Sequence, residues 1–195
     1  VPPEEFEILG EIGRGASGVV YGALQKTLRR NVALKIPRMD ADDETRKRFV
    51  IEGQLCSQVL SPYVVTIFDM RPTSNNRVYI VMELVNGGSA KDRLSQSALP
   101  ISEVAQIGEH ISLGLHAIHR LKIIHRDLKP SNIMLCDGQI RLIDFGIAKD
   151  MQGDPLTGVK TRSIMGSELY MAPEQHENQP CYGSDLYAAG LIFAA

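Results

Sequence analysis

Four residues in one short stretch have the types and spacing to handle a metal-bound phosphate: Asp127, Lys129, Asn132 and Asp144. Between them lie two apolar runs, Ile133-Met134-Leu135 and Ile140-Arg141-Leu142-Ile143, separated by Cys136-Asp137-Gly138-Gln139. Asp-Gly between such runs is a strong signal for a two-residue hairpin turn. With Asp137 and Gly138 as the turn, Leu135 faces Ile140, Ile133 faces Leu142 and Asn132 faces Ile143. Asp144 follows directly, so the open end of the hairpin gathers Asn132 and Asp144, with Asp127 and Lys129 just before. An amide and a carboxylate held close are hard oxygen ligands suited to Mg²⁺, which keeps water and phosphate oxygens as its remaining ligands.

The full stretch reads Ile124-His125-Arg126-Asp127-Leu128-Lys129-Pro130-Ser131-Asn132, then Asp144-Phe145-Gly146. It resembles the catalytic loop and metal-binding loop of eukaryotic-type (Hanks-type) Ser/Thr protein kinases. The resemblance implies that Asp127 is the base accepting the substrate hydroxyl proton, that Lys129 neutralises the transferring phosphate, and that Asn132 and Asp144 hold Mg²⁺ (or Mn²⁺). Lys129-Pro130 favours Ser/Thr over Tyr specificity, and also over small-molecule antibiotic kinases. The wording of Phe145 to Lys149 and of Tyr170 to Gln175 is similar to the bacterial receptor-like subgroup. His125 is expected to be structural, packing against Phe145, and not a proton carrier.

These groups need a scaffold, and the preceding residues supply it. Phe6 to Gly13, Val19 to Leu24 and Asn31 to Ile36 read as strands. The first two are joined by Gly13-Arg14-Gly15-Ala16-Ser17-Gly18, whose backbone N–H groups can line a phosphate chain. A dinucleotide-binding loop is the rival, with Asp40 and Asp42 about 20 residues on. That rival needs a helix after the glycines, whereas Val19-Val20-Tyr21 is β-branched and aromatic and reads as a strand. Val32-Ala33-Leu34-Lys35 matches the family's third-strand motif, which gives Lys35 the ATP α- and β-phosphates. Asp42-Asp43-Glu44 favour a helix start, and Phe49, Glu52, Cys56 and Val59 recur at helical steps. Glu52 therefore lies on the inward stripe, where an unpaired carboxylate is costly, and Lys35 is its natural partner. Gly53 inside this helix costs about 1 kcal/mol relative to Ala, which predicts a helix able to shift.

Val64 to Met70 and Val78 to Met82 read as the fourth and fifth strands, followed by a hinge, Glu83 to Gly88. The resemblance places the Glu83 and Val85 backbone on adenine, Met82 at the gatekeeper position, and Val20, Ala33 and Met134 around the ring. Ser102 to Leu121 is an amphipathic helix with Val104, Ile107, Ile111, Leu115 and Ile118 on one stripe. His110, His116 and His119 sit on it without metal-ligand company and read as satisfied or solvated. Residues 147–171 match an activation loop ending at Ala172-Pro173-Glu174. Thr161 is the expected phosphorylation site, with Ser163 and Thr157 secondary, because Arg126 beside the catalytic Asp can pair with a phosphate. Ser167 keeps the hydroxyl that can bridge Asp127 and Lys129. Asp185 is expected to brace the backbone around His125 and Arg126, and Glu174 to lack its family partner.

The expected fold class is α+β and two-lobed. An N-lobe of antiparallel sheet and one helix covers about residues 1–82, the hinge about 83–88, and a mainly helical, incomplete C-lobe about 89–195. A start at Val1 and a stop inside an apolar run are expected of a fragment. The 195 residues are 44% hydrophobic with a net charge of −2, an ordinary globular balance with no basic excess for nucleic acid. Cys56, Cys136 and Cys181 form no C-x-x-C pair and fit a reducing compartment. No run reaches the ~18 apolar residues of a membrane span. The expected activity is ATP-dependent phosphorylation of protein Ser/Thr by a cytoplasmic catalytic domain, with protein substrates as partners and room for a kinase homodimer. A nucleotide-binding pseudokinase or scaffold is the alternative.

Overall fold

β-branched and aromatic residues build the first part of the chain into five strands: β1 (Phe6–Arg14), β2 (Val19–Gln25), β3 (Arg30–Ile36), β4 (Ile67–Pro72) and β5 (Val78–Glu83). The structure, a computed structural model, describes residues 4–15, 18–38, 42–72, 78–136, 138–144, 168–177 and 179–194. The strands form one sheet in the order β1-β2-β3-β5-β4, every neighbouring pair antiparallel. Register decides what each face carries, because side chains alternate along a strand. Val20 lies opposite Lys35, and Lys35 opposite Ile80; Gly22 lies opposite Ala33, and Ala33 opposite Met82. Val20, Ala33, Lys35 and Met82 therefore share one face. The other face packs Phe6, Ala23, Val32, Leu34, Tyr79 and Val81 into a buried cluster, with the Phe6 and Tyr79 rings edge-on at 6.0 Å.

α1 (Asp43–Cys56) starts at Asp42, whose carboxylate accepts from Thr45 N at 2.7 Å. This cap satisfies one of the open N–H groups of the first turn. Phe49, Glu52 and Cys56 are buried, as the stripe requires. Gly53 has a packing role that its propensity does not reveal. A Cβ there would lie 2.6 Å from Met70 Sδ and 3.0 Å from Ile80 Cδ1. The glycine lets the helix approach β4 and β5 closely. Together these elements, the described residues up to Gln58 with Val65–Val85, form one compact unit.

Val64 departs from the predicted fourth strand. Its backbone forms a parallel bridge with Leu142, Leu142 N donates to Tyr63 O at 2.9 Å, and β4 begins only at Ile67. Val59–Val64 belongs with the second unit, whose other described residues run from Asn86 onward. That unit contains α2 (Ala90–Gln96), α3 (Ile101–Arg120), the β6 (Ile133–Cys136) and β7 (Gln139–Leu142) hairpin, α4 (Pro173–His176) and α5 (Tyr182–Ala194). Ser89 and Asp92 form a reciprocal capping box at the start of α2. Ile107, Ile111, Leu115 and Ile118 are the buried stripe of α3. A Cβ on Gly114 would meet Leu142 Cδ1 at 2.8 Å, so α3 lies directly against β7. At Gly87, φ is +155° and a Cβ would fall 1.8 Å from Leu135 O. Only glycine fits there, and Leu135 N donates to Gly88 O at 2.9 Å beside it. The fold is the two-lobed α+β arrangement, an antiparallel sheet with one helix and a mainly helical unit.

Candidate active site

The hairpin register is the one its turn dictates. Ile133 pairs with Leu142 and Leu135 with Ile140, Gly138 has φ +74°, and Ile143 N donates to Asn132 O at 3.0 Å. Asp144 is the next residue, at φ +53°. At the same end, Asp127 Oδ2 accepts from Lys129 Nζ at 2.9 Å and from Asn132 Nδ2 at 3.1 Å. Asn132 Nδ2 also donates to Asp127 O at 2.8 Å. One carboxylate, one ammonium and one buried amide thus form a single bonded cluster. Both of these amide bonds come from Nδ2, so neither uses the Asn132 carbonyl oxygen, a hard donor type. Among the described residues no three His, Cys, Asp or Glu group to hold a metal. A cation on Asn132 and Asp144 would complete its shell with water and phosphate oxygens, as Mg²⁺ does. The donor set fits that ion.

Asp185, 1% exposed, anchors the loop from α5. Its Oδ2 accepts from His125 N and its Oδ1 from Arg126 N, both at 2.8 Å. His119 Nε2 lies 2.7 Å from the same Oδ2, and its ring meets Tyr182 at 4.8 Å. The sequence reading left His119 among the satisfied or solvated histidines, and no local signal pairs it with a residue on another helix. His125 is completely buried. Burial pushes its imidazole below the ordinary value, against the pull of Asp185, Asp127 and Asp144. Its expected partner Phe145 lies outside the described residues, as do Gly146, Thr157, Thr161, Ser163 and Ser167.

Glu174 is not left without a partner. Its carboxylate accepts from Ser184 Oγ, and Cys181 Sγ lies 3.7 Å away. The Ser184 hydroxyl holds it below the usual carboxylate range. The hydroxyl stands ten positions away on α5.

The first unit carries the other candidate residues. Lys35 Nζ and Glu52 Oε1 are 2.7 Å apart, with side chains only 4% and 6% exposed. Lys35 also sits 5.9 Å above the centre of the Phe49 ring. At the glycine turn, Gly13 and Arg14 at the end of β1 lie opposite Val20 and Val19 of β2, and Gly15 N donates to Gly18 O at 2.9 Å. A Cβ on Gly18 would lie 2.3 Å from Ile36 O, so the turn presses against the end of β3. Glu83 closes β5: its N–H donates to Thr66 O at 2.9 Å and its carboxylate accepts from Thr66 N at 3.3 Å. Val85 is half-buried at the end of this unit. Met134, half-buried in β6, bridges to Ser89 within the second unit.

A family model described as the protein kinase domain matches residues 6–195. The chain belongs to the protein kinase domain family. Over 192 residues it is 37% identical to a probable serine/threonine-protein kinase of Clostridium perfringens, covering 96% of this chain and 28% of that relative. It is 34% identical to the serine/threonine-protein kinase PknA of Corynebacterium glutamicum, covering 96% of this chain and 42% of the relative. With the serine/threonine-protein kinase PknK of Mycobacterium tuberculosis it shares 36% identity over 97% of this chain and 17% of the relative. The kinase domain thus spans less than half the length of these curated relatives. Among the described residues no helix is long and apolar enough to cross a membrane.

Proposed function

We propose that this kinase domain transfers the γ-phosphoryl group of ATP to Ser and Thr hydroxyls of protein substrates. The observation that carries the reading is the bonded cluster of Asp127, Lys129 and Asn132, with Asp144 beside it on the hairpin. The substrate hydroxyl oxygen forms a bond to the γ-phosphorus, the bond from that phosphorus to the bridging oxygen of ADP breaks, and the hydroxyl proton goes to Asp127. Lys129, already bonded to Asp127, offsets the charge of the group in transit. Asn132 and Asp144 would hold Mg²⁺ (or Mn²⁺), which would offset charge on the phosphate oxygens. Lys35 binds the α- and β-phosphates and Glu52 fixes its ammonium. Gly13, Gly15 and Gly18 bring backbone N–H groups to the phosphate chain. Val20, Ala33 and Met134 contact adenine, Met82 stands behind it, and the backbone of Glu83 and Val85 reads its edge.

The chemistry demands positioning and charge more than covalent help. Turnover of about 1–100 s⁻¹ corresponds to a barrier of about 15–17 kcal/mol. A radiolabel transfer assay beside an ATP-binding assay tests the reading in the full-length protein. Labelled phosphoserine or phosphothreonine in a substrate protein is expected; ATP binding without transfer would support a scaffold instead.

Regulation by phosphorylation of Thr161, with Ser163 and Thr157 secondary, accompanies this proposal. It rests on the hydroxyl-rich stretch between Asp144 and Ala172 and on Arg126 beside the base. Phosphopeptide mapping after incubation with ATP is expected to find Thr161 modified, and a map that never contains it would remove that site.

A further inference from the structure

The loop that aims Asp127 turns through a strained residue. Arg126 has φ +65°, in the left-handed region that side-chain-bearing residues seldom enter. Asp127 N donates to His125 O across it at 2.9 Å. A bond from residue i to i+2 around a positive φ belongs to the rare, strained hand of the γ-turn. Such a conformation persists only where its surroundings over-determine it. Asp185 supplies one restraint by accepting from Arg126 N. Another comes from a residue with no role so far: Gln175 Nε2 donates to Arg126 O at 2.9 Å.

The Gln175 amide is itself oriented. Its Oε1 accepts from Ala172 N at 3.1 Å in the first turn of α4, which leaves Nε2 facing the loop. Gln175, Arg126, Asp127, Ser184 and Asp185 help line a void of only about 10 Å³. That is room for about one water. We propose that Gln175 is a positioning residue for phosphoryl transfer, clamping the Arg126 carbonyl so that Arg126, whose amide N–H is held by Asp185, fixes the direction of Asp127. Gln175 acts through Arg126 and touches no reacting atom. The inference rests on the kinase reading above.

Three substitutions in the full-length protein separate this role from simple capping of α4. Gln175→Met removes both bonds and is expected to lower kcat about 10²-fold, the scale of a small misplacement of a reacting group, with KM for ATP unchanged. Gln175→Glu keeps the acceptor for Ala172 N but loses the donor, and is expected to fall as far as the Met variant. Gln175→Lys gives up the acceptor but restores a donor toward Arg126 O, and is expected to regain most of the loss. A capping role alone predicts the reverse order, with Glu near wild type and Lys low. Hydrogen exchange at the Asp127 amide supplies a readout that needs no turnover: faster in the Met and Glu variants than in wild type and Lys. A wild-type protein without turnover would remove the kinase reading and leave exchange to decide the clamp. Unchanged kcat and exchange in all three variants, or the reversed Glu and Lys order, would overturn it.

Discussion

Lys35→Met in the full-length protein is expected to abolish most phosphoryl transfer and to destabilise the first unit by about 3–5 kcal/mol. The stability loss comes from what remains, the Glu52 carboxylate in a site where its side chain is 6% exposed and its ammonium partner 2.7 Å away is gone. Uncompensated buried charge costs more than the intact pair contributes. The double variant Lys35→Met/Glu52→Leu tests that cause. Two apolar side chains beside Phe49 carry no charge to bury, so the urea unfolding midpoint is expected to return close to wild type. Activity is expected to stay absent, because no ammonium reaches the phosphates. A single variant as stable as wild type would contradict the buried-charge account. A double variant with normal transfer would remove Lys35 from the mechanism.

Asp127→Asn isolates the proton acceptor from the architecture. Asp127 Oδ2 takes both the Lys129 and the Asn132 side-chain bonds, so an amide oxygen in its place can keep both. The backbone bond from Asn132 Nδ2 to Asp127 O does not involve the side chain at all. Thermal stability is therefore expected to change little. General-base assistance contributes about 10²–10⁴-fold, or about 3–5 kcal/mol of barrier, and steady-state kcat is expected to fall by that factor. On the proposed mechanism, Lys35, Lys129 and the cation ligands would supply the remainder of the barrier reduction. An asparagine variant with wild-type kcat would show that no base is needed at this position.

Features set by local chemistry were readable from the chain, and features set by distant partners were not. A two-residue turn fixes a hairpin's register, so the approach of Asn132 to Asp144 followed from Asp137-Gly138 and the apolar runs alone. Glu52 fell on the buried stripe of a helix, and burying a carboxylate demands a cation, which Lys35 provides at 2.7 Å. Asp185 came from the family resemblance, and its bonds to His125 and Arg126 are present. His119 and Gln175 left no such trace, because their partners stand 66 and 49 residues away in the chain. The packing role of Gly53 was not legible either, because propensity describes glycine in a lone helix, whereas Met70 and Ile80, distant in the chain, set the space it leaves here. Val64 misled for a similar reason. Its β-branched side chain suits a strand, but its backbone pairs with Leu142 instead of extending β4. The Glu174–Ser184 bond was not foreseen because it depends on α4 and α5 bringing a serine hydroxyl to the carboxylate.

Pre-steady-state transfer of the γ-phosphate label from Mg²⁺-ATP to a substrate serine or threonine, measured for wild type and Asp127→Asn with ATP affinity read in parallel, tests the mechanism most directly. The account predicts equal ATP affinity and a label-transfer step slowed at least about 100-fold in the asparagine variant. Equal transfer rates in the two proteins, or no transfer by either while ATP stays bound, would contradict it.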